Sequence, residues 1–375
     1  MIEEHTDLDT QARSGRINLP HGPVMTPAFM PVGTAGTVKA VHHDTLDEIG
    51  YRLILGNTYH LFLRPGMETI GAFGGLHKFS TWEHNILTDS GGYQIFSLAP
   101  FRKITEAGAE FQSHIDGSRH LLTPEGAVEI QTTIGSDIQM VLDVCTGPEE
   151  GRTGSEEALK TTTRWAQRAK TRWHRAREEQ GYPGHLYGIV QGNFFPDLRT
   201  QSVEATVALD LPGIAIGGLS VGETFDQYEE MLAHTASQLP RDIPRYVMGI
   251  GTPEYILTAI EHGIDIFDCV FPTRAGRTGT LFTTQGRINI KNAQYAHRDD
   301  PADPGIDSFG RRTYSLGYLR HLFKSNEILG AMLATEHNLR FMKWLTDQAT
   351  TAIREQRFAA FKRSFLSTFF DGNSP

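Results

Sequence analysis

Eight short apolar runs recur along the first three-quarters of the chain: AFMPV (28–32), RLIL (52–55), NILT (85–88), IQMVL (138–142), LYGIV (186–190), GIAI (213–216), RYVM (245–248) and IDIF (264–267). They are continuous rather than alternating, the pattern of parallel strands buried on both faces. Most are separated by room for a helix, and segments 123–135, 156–179, 196–209 and 224–238 carry helical spacing. Eight such units predict an α/β fold, a (β/α)8 TIM barrel. A doubly wound open sheet is the competing architecture, but no glycine-rich dinucleotide fingerprint comes after the first run.

The residues just beyond each run carry the chemistry. In order come Gly33, Gly56-Asn57, Asp89-Ser90-Gly91-Gly92, Asp143-Val144-Cys145, Gln191-Gly192-Asn193, Gly217-Gly218-Leu219, Gly249-Ile250-Gly251 and Asp268-Cys269. In a parallel barrel all strand C-termini open on one face, where active sites are built. Glycines that end strands and aspartates that cap helices explain some of these positions. They do not explain three aspartates and a glutamine at equivalent points.

Two stretches depart from a plain barrel. Segment 13–26 reads as a short hairpin closing the barrel floor, and 96–122 as a hairpin inserted after the third strand, turning at Asp116-Gly117. Beyond Arg287 comes a loop rich in Asp and Pro, then helices expected over 315–337 and 338–370. The expected organisation is a catalytic barrel with its N-terminal hairpin over 1–286 and a helical subdomain packed on it over 287–375.

Bulk composition narrows the class. The chain has 375 residues, 39% hydrophobic and 21% charged, enough for one barrel-sized domain. No apolar run approaches membrane-spanning length, and MIEEHTDLDT at the start has no basic-then-apolar leader, so a cytoplasmic protein without a membrane role is expected. Two cysteines, Cys145 and Cys269, exclude a disulfide framework and any three-cysteine zinc site within the chain. Net charge is −9 but uneven: residues 287–375 carry +4 and the rest −13. A +4 tail is of itself more often a solvated helical face than an RNA site.

The segment GIDIFDCVFPTRAGRTG (263–279) concentrates the signal. An apolar strand delivers Asp268, then breaks into a Pro-Thr-Arg loop with Arg274 and Arg277 close behind. A carboxylate at a buried strand end is costly unless paired or used. Two arginines beside it suit phosphates flanking a reacting centre.

Six motifs turn these features into a resemblance: LGNTYHL (55–61), LTDSGGYQIFSL (87–98), YGIVQG (187–192), GIAIGGLSVGE (213–223), YVMGIGTPE (246–254) and FDCVFPTRAGRTG (267–279). The chain resembles the bacterial tRNA-guanine transglycosylases, the queuine tRNA-ribosyltransferase family, from about Gly15 to Phe341. The resemblance implies a barrel enzyme that exchanges guanine at wobble position 34 of tRNAs with GUN anticodons (the Asp, Asn, His and Tyr acceptors) for a 7-deazaguanine base. It implies Asp268 as the nucleophile on ribose C1′ and Asp89 as general acid/base. Ser90, Gly91, Gly92, Asp143, Cys145, Gln191, Gly217, Gly218, Leu219 and Val221 would form the base pocket, with Tyr93 and Met248 on the two faces of the base. Gly249, Ile250, Gly251, Thr252, Pro253, Glu254 and Tyr255, with Thr273, Arg274, Ala275, Gly276 and Arg277, would contact RNA. A homodimer is the family's common state.

The chemistry stands beside the resemblance. Cleaving an N-glycosidic bond builds positive charge on the sugar, which a carboxylate can stabilise or capture. Two displacements retain configuration, while a second carboxylate moves the proton between bases. An aspartate and a glutamine amide suit the polar edge of a guanine-like base. Tyr93 and Met248 at strand ends are, without the resemblance, ordinary core residues.

One departure is clear. The family has a zinc site of three cysteines (C-x-C-x-x-C) and a histidine; here Ile306, Ser308 and Arg311 stand at the cysteine positions and only His337 remains. No zinc is expected, with Ile306 and Phe309 replacing it by apolar packing. Cys145 and Val221 match the tighter, bacterial pocket, which favours preQ1 (7-aminomethyl-7-deazaguanine) over queuine as incoming base. Two other readings, a non-catalytic tRNA-binding partner subunit and a barrel enzyme acting on a small phosphate ester, leave Asp89 with Asp268, or Asp143 with Gln191, without a purpose.

Overall fold

The computed structural model describes residues 1–97, 102–306 and 313–371. All eight apolar runs are strands of one parallel sheet: β1 (Ala28–Pro31), β2 (Leu53–Gly56), β3 (Asn85–Thr88), β4 (Ile138–Met140), β5 (His185–Val190), β6 (Gly213–Ile216), β7 (Arg245–Val247) and β8 (Ile266–Cys269). Each pairs with its neighbour in chain order, and β8 returns to β1, with Phe267 opposite Phe29. A parallel bridge between Val32 and Leu55 joins β1 to β2, so the sheet closes into the expected barrel. Helices Pro124–Ile134, Arg152–Gln180, Pro196–Val207 and Phe225–Ala236 lie between the strands as their spacing predicts.

The floor hairpin is present as antiparallel strands Arg13–Leu19 and Gly22–Thr26, with Ile2–Thr6 added on one edge. It is fastened to the N-terminal ends of the barrel strands. Arg13 forks onto Asp265, just before β8, with Nε and Nη2 donating at 3.0 and 2.7 Å. Asn85, at the start of β3, donates to the carbonyls of Gly22 and Arg52. Both members of the Arg13–Asp265 pair are fully buried, so each depends on the other to offset lost hydration.

Three expectations need correction. The insertion after β3 has three strands rather than two, because Arg102–Ile104 pairs with Ala109–Gln112 before Arg119–Leu122 does. The tail forms helices Leu316–Lys324, Ile328–Arg354 and Phe358–Asp371, so the boundary expected at 337/338 falls inside a 27-residue helix. The break comes instead at Asn326, in the left-handed region. His337 and Asn338 look like a polar interruption but are buried bonding groups. Asn338 donates to the carbonyls of Pro272 and Thr280 at 2.8 and 2.9 Å and accepts from the Phe282 N–H at 2.9 Å. Finally, the Pro-Thr-Arg stretch is no loop: it is helix Phe271–Thr278, with Pro272 in its first turn, where a missing N–H costs nothing. A short hairpin, Thr280–Thr283 with Gly286–Asn289, comes after it unforeseen.

Helix Ile328–Arg354 lies against helix Phe271–Thr278 so closely that a Cβ on Gly276 would stand 2.8 Å from the Ala334 carbonyl oxygen. Its Leu339, Phe341 and Leu345 join the apolar layer that also holds Phe29, Ile256 and Phe267. Among the described residues no helix is long and apolar enough to cross a membrane.

Candidate active site

The barrel brings Asp89, Asp143, Gln191, Gly217, Met248 and Asp268 to one rim, each at or just beyond the C-terminal end of its strand. Asp268, on β8, accepts from the Tyr246 hydroxyl at 2.5 Å and from the Gly249 N–H at 2.9 Å, both through Oδ1. Oδ2 has no hydrogen bond among the described residues. Burial raises the Asp268 pKa, and those two donors counter the shift. Tyr246 stands two residues before Met248 on the inward face of β7, so its role was legible from the alternation within YVMGIG.

Asp89 is held by the Asn57 amide (2.5 Å) and the Thr58 N–H (2.9 Å). Its pKa rises to about 7, first through burial and then through the negative charge of Asp268. Among the described residues no cation is paired with either carboxylate. The result is one carboxyl group poised to hold or release a proton near neutrality beside another with a free oxygen.

A second cluster sits lower in the mouth. Asp143 accepts from the Gln191 amide at 2.6 Å, the Ser90 hydroxyl at 3.2 Å and the Cys145 thiol at 3.4 Å. Burial raises its pKa, and the Gln191 bond is the largest opposing influence. Gln191 Oε1 is buried with no hydrogen bond of its own among the described residues. Glycines keep space open around this pair. A Cβ on Gly92 would come within 2.7 Å of Asp143 Oδ1, and one on Gly218 within 2.7 Å of Gln191 Oε1. Gly91 and Gly218 also have positive φ.

Two supporting residues were not singled out from the sequence. Arg199, fully buried in helix Pro196–Val207, donates to the carbonyls of Asn193, Gly217 and Gly218. Burial pulls its pKa down to about 10. Glu223 accepts from the N–H groups of Ser220, Val221 and Gly222, tightening the turn after Leu219.

The remaining candidates divide by exposure. Tyr93 is 58% exposed at the rim, whereas Met248 is half-buried. Ile250, Thr273, Ala275 and Gly276 are buried, so their side chains face protein. Gly251 packs against Cys269, where a Cβ would approach to 2.3 Å. Thr252 stands at the N-cap position of helix Pro253–Glu261 without a side-chain cap bond, Glu254 reaches Arg287 at 3.8 Å, and the Tyr255 ring lies 4.5 Å from Tyr228. Arg274 is exposed and Arg277 half-buried, its pKa lowered by burial and by Arg274. Ser308, Phe309 and Arg311 lie outside the described residues. Ile306 is buried, and His337 Nε2 lies 2.6 Å from the Phe282 carbonyl oxygen.

The barrel carries its carboxylates on the rim where active sites are built, and the relatives make the chain an enzyme of the pentosyltransferase class. A family model described as queuine tRNA-ribosyltransferase matches residues 7–371. The chain is 53% identical to the queuine tRNA-ribosyltransferase of Treponema denticola, over 97% of this chain and 96% of that one. It is 51% identical to that of Borrelia hermsii (98% and 97%) and 49% to that of Caldanaerobacter subterraneus (97% and 96%). The chain belongs to the queuine tRNA-ribosyltransferase family, the tRNA-guanine transglycosylases of queuosine modification.

Proposed function

We propose that this chain exchanges guanine at wobble position 34 of tRNAs with GUN anticodons for preQ1, by two displacements at ribose C1′. The observation that carries the reading is the pairing of Asp268, with one oxygen free, and Asp89, whose pKa of about 7 responds to the Asp268 charge. Asp268 Oδ2 attacks C1′ as the guanine C–N bond breaks, giving a covalent enzyme–ribose ester. Asp89 gives its proton to the departing guanine and takes one back from the incoming base, which then displaces Asp268 from the same carbon. The target nucleotide must first leave its stack, and Arg274 and Arg277 would meet its phosphates. Asp143 and the free Oε1 of Gln191 offer acceptors to the N–H groups of the base edge.

PreQ1 is favoured over queuine because Cys145, whose thiol lies against Asp143, and Val221, in the turn held by Glu223, match the tighter bacterial pocket. The zinc of the family does not fit the donors present. His337 already faces the Phe282 carbonyl, Ile306 is apolar, and both cysteines lie elsewhere. Ile306 packs in the same apolar layer as Leu339 and Phe341, which supports apolar replacement of the metal. A cytoplasmic homodimer acting on tRNA completes the reading.

The test is incubation with labelled guanine and a GUN-anticodon tRNA, alongside Asp268→Asn. Label should enter tRNA with the wild type only, and an RNA–protein adduct should survive denaturing electrophoresis. No incorporation by the wild type overturns the reading. PreQ1 and queuine supplied separately as competitors identify the base, and tight zinc lost on His337→Ala would refute its absence.

A further inference from the structure

The barrel floor, opposite the reacting rim, gathers two imidazoles and a carboxylate from three separate elements. His21 occupies the turn between strands Arg13–Leu19 and Gly22–Thr26, His77 lies in helix Leu76–Ser80, and Asp137 immediately precedes β4. His21 Nδ1 is 2.7 Å from Asp137 Oδ1, and His77 Nε2 is 3.2 Å from Oδ2. The three ligand atoms all lie within 4.8 Å of one another. We propose that these residues hold a zinc-class dication that staples the floor hairpin to the barrel.

Three observations support the site. First, the two rings stack with centroids 3.8 Å apart and planes 21° from parallel, which brings both imidazoles to the same carboxylate. Second, His77 Nε2 is buried yet makes no hydrogen bond among the described residues, despite lying so close to Asp137. A nitrogen aimed at a carboxylate without bonding geometry suits a shared ion better than a shared proton. Third, each ligand has its own support. Asp137 Oδ2 accepts from the Ile86 N–H at 2.7 Å, which fixes the carboxylate plane and leaves Oδ1 as the ligand oxygen. The His21 backbone N–H donates to Asn85 Oδ1 at 3.1 Å, anchoring the turn.

The dimensions agree. Tetrahedral zinc with bonds of about 2.0–2.1 Å separates its ligand atoms by about 3.3 Å, so His21 and Asp137, 2.7 Å apart, need to part by about 0.6 Å. Asp137 is buried, His77 mostly so, and the His21 side chain is 40% exposed, giving an access path and an open fourth position for water. Two imidazoles with one carboxylate select a borderline metal over magnesium or calcium, which prefer all-oxygen ligands. The site is distinct from the family's zinc region, since it contains neither His337 nor a cysteine.

The full-length protein, stripped with a chelator, is titrated with Zn2+ by calorimetry, with Mg2+ as the oxygen-preferring control. One equivalent of Zn2+ is expected, without Mg2+ competition, together with a raised thermal midpoint. His21→Ala, in an exposed turn where folding is not at stake, should weaken binding on the order of 100-fold, as should His77→Ala. Co2+ in place of Zn2+ should give visible d–d absorption that His21→Ala removes. Direct His–Asp bonding without an ion predicts no uptake by the wild type, and that result overturns the proposal. Zinc uptake unchanged by His21→Ala, or lost on His337→Ala while kept in His21→Ala, overturns it equally.

Discussion

The two ends of the barrel bury carboxylates in opposite ways. On the floor, Asp265 sits against the guanidinium of Arg13, and Asp137 meets two imidazoles and a backbone N–H. On the rim, Asp89 and Asp268 are half-buried near each other with only neutral donors bonded to them among the described residues. Burial disfavours the charged form at both ends; an adjacent cation opposes it only on the floor. Floor carboxylates therefore hold the fold together, while rim carboxylates are held in place by the fold and remain reactive.

Neutralising single residues should separate the two ends. The largest effect expected is on catalysis: Asp268→Asn should lower guanine exchange by at least about 1,000-fold while leaving the thermal midpoint near that of the wild type, measured by label incorporation and calorimetry. Next, Arg13→Met should destabilise the fold by roughly 3–5 kcal/mol, because Asp265 is left charged and unpaired in the interior. Denaturant unfolding checks this, and a loss below about 1 kcal/mol would erase the contrast. Gly276→Ala should cost about 1–3 kcal/mol, since the Ala334 carbonyl must retreat from a new Cβ.

The smallest effect has the most informative sign. Asp89 has a folded pKa of about 7 against an ordinary value of 3.8, so the folded chain keeps a proton that the unfolded chain releases. Its contribution to stability is complete below about pH 4 and is lost as pH rises through about 7. Asp89→Asn should therefore raise the thermal midpoint at pH 8 relative to the wild type, with the difference shrinking toward pH 4. Melting curves across that range test it; a midpoint lowered at pH 8 would place Asp89 among the floor-type carboxylates.

Much of this plan was legible in the sequence. Strands buried on both faces announce themselves as unbroken apolar runs, so all eight were found, and with them the rim positions of Asp89, Asp143, Gln191 and Asp268. The failures share a physical cause, which is that local chemistry was overruled by distant partners. The Pro-Thr-Arg stretch suggested a loop, yet Pro272 suits a first helical turn and Gly276 lets another helix approach. His337 and Asn338 suggested a helix end because their bonding partners, Phe282, Pro272 and Thr280, lie more than 50 residues away. Arg199 and Glu223 serve backbone groups, and no side-chain pattern marks such service.

The Asn338 bracket has a consequence for how the protein is made. The amide that donates to the Pro272 and Thr280 carbonyls is encoded 66 residues after Pro272. At roughly 5–20 residues per second, a ribosome delivers it about 3–13 seconds after Pro272. During that interval every barrel strand exists, Asp268 included, but the helix behind it has no neighbour to cover its inner face. A growing chain thus carries its nucleophile before it carries the clasp that seats it, and only the last stretch of translation turns the barrel into an enzyme.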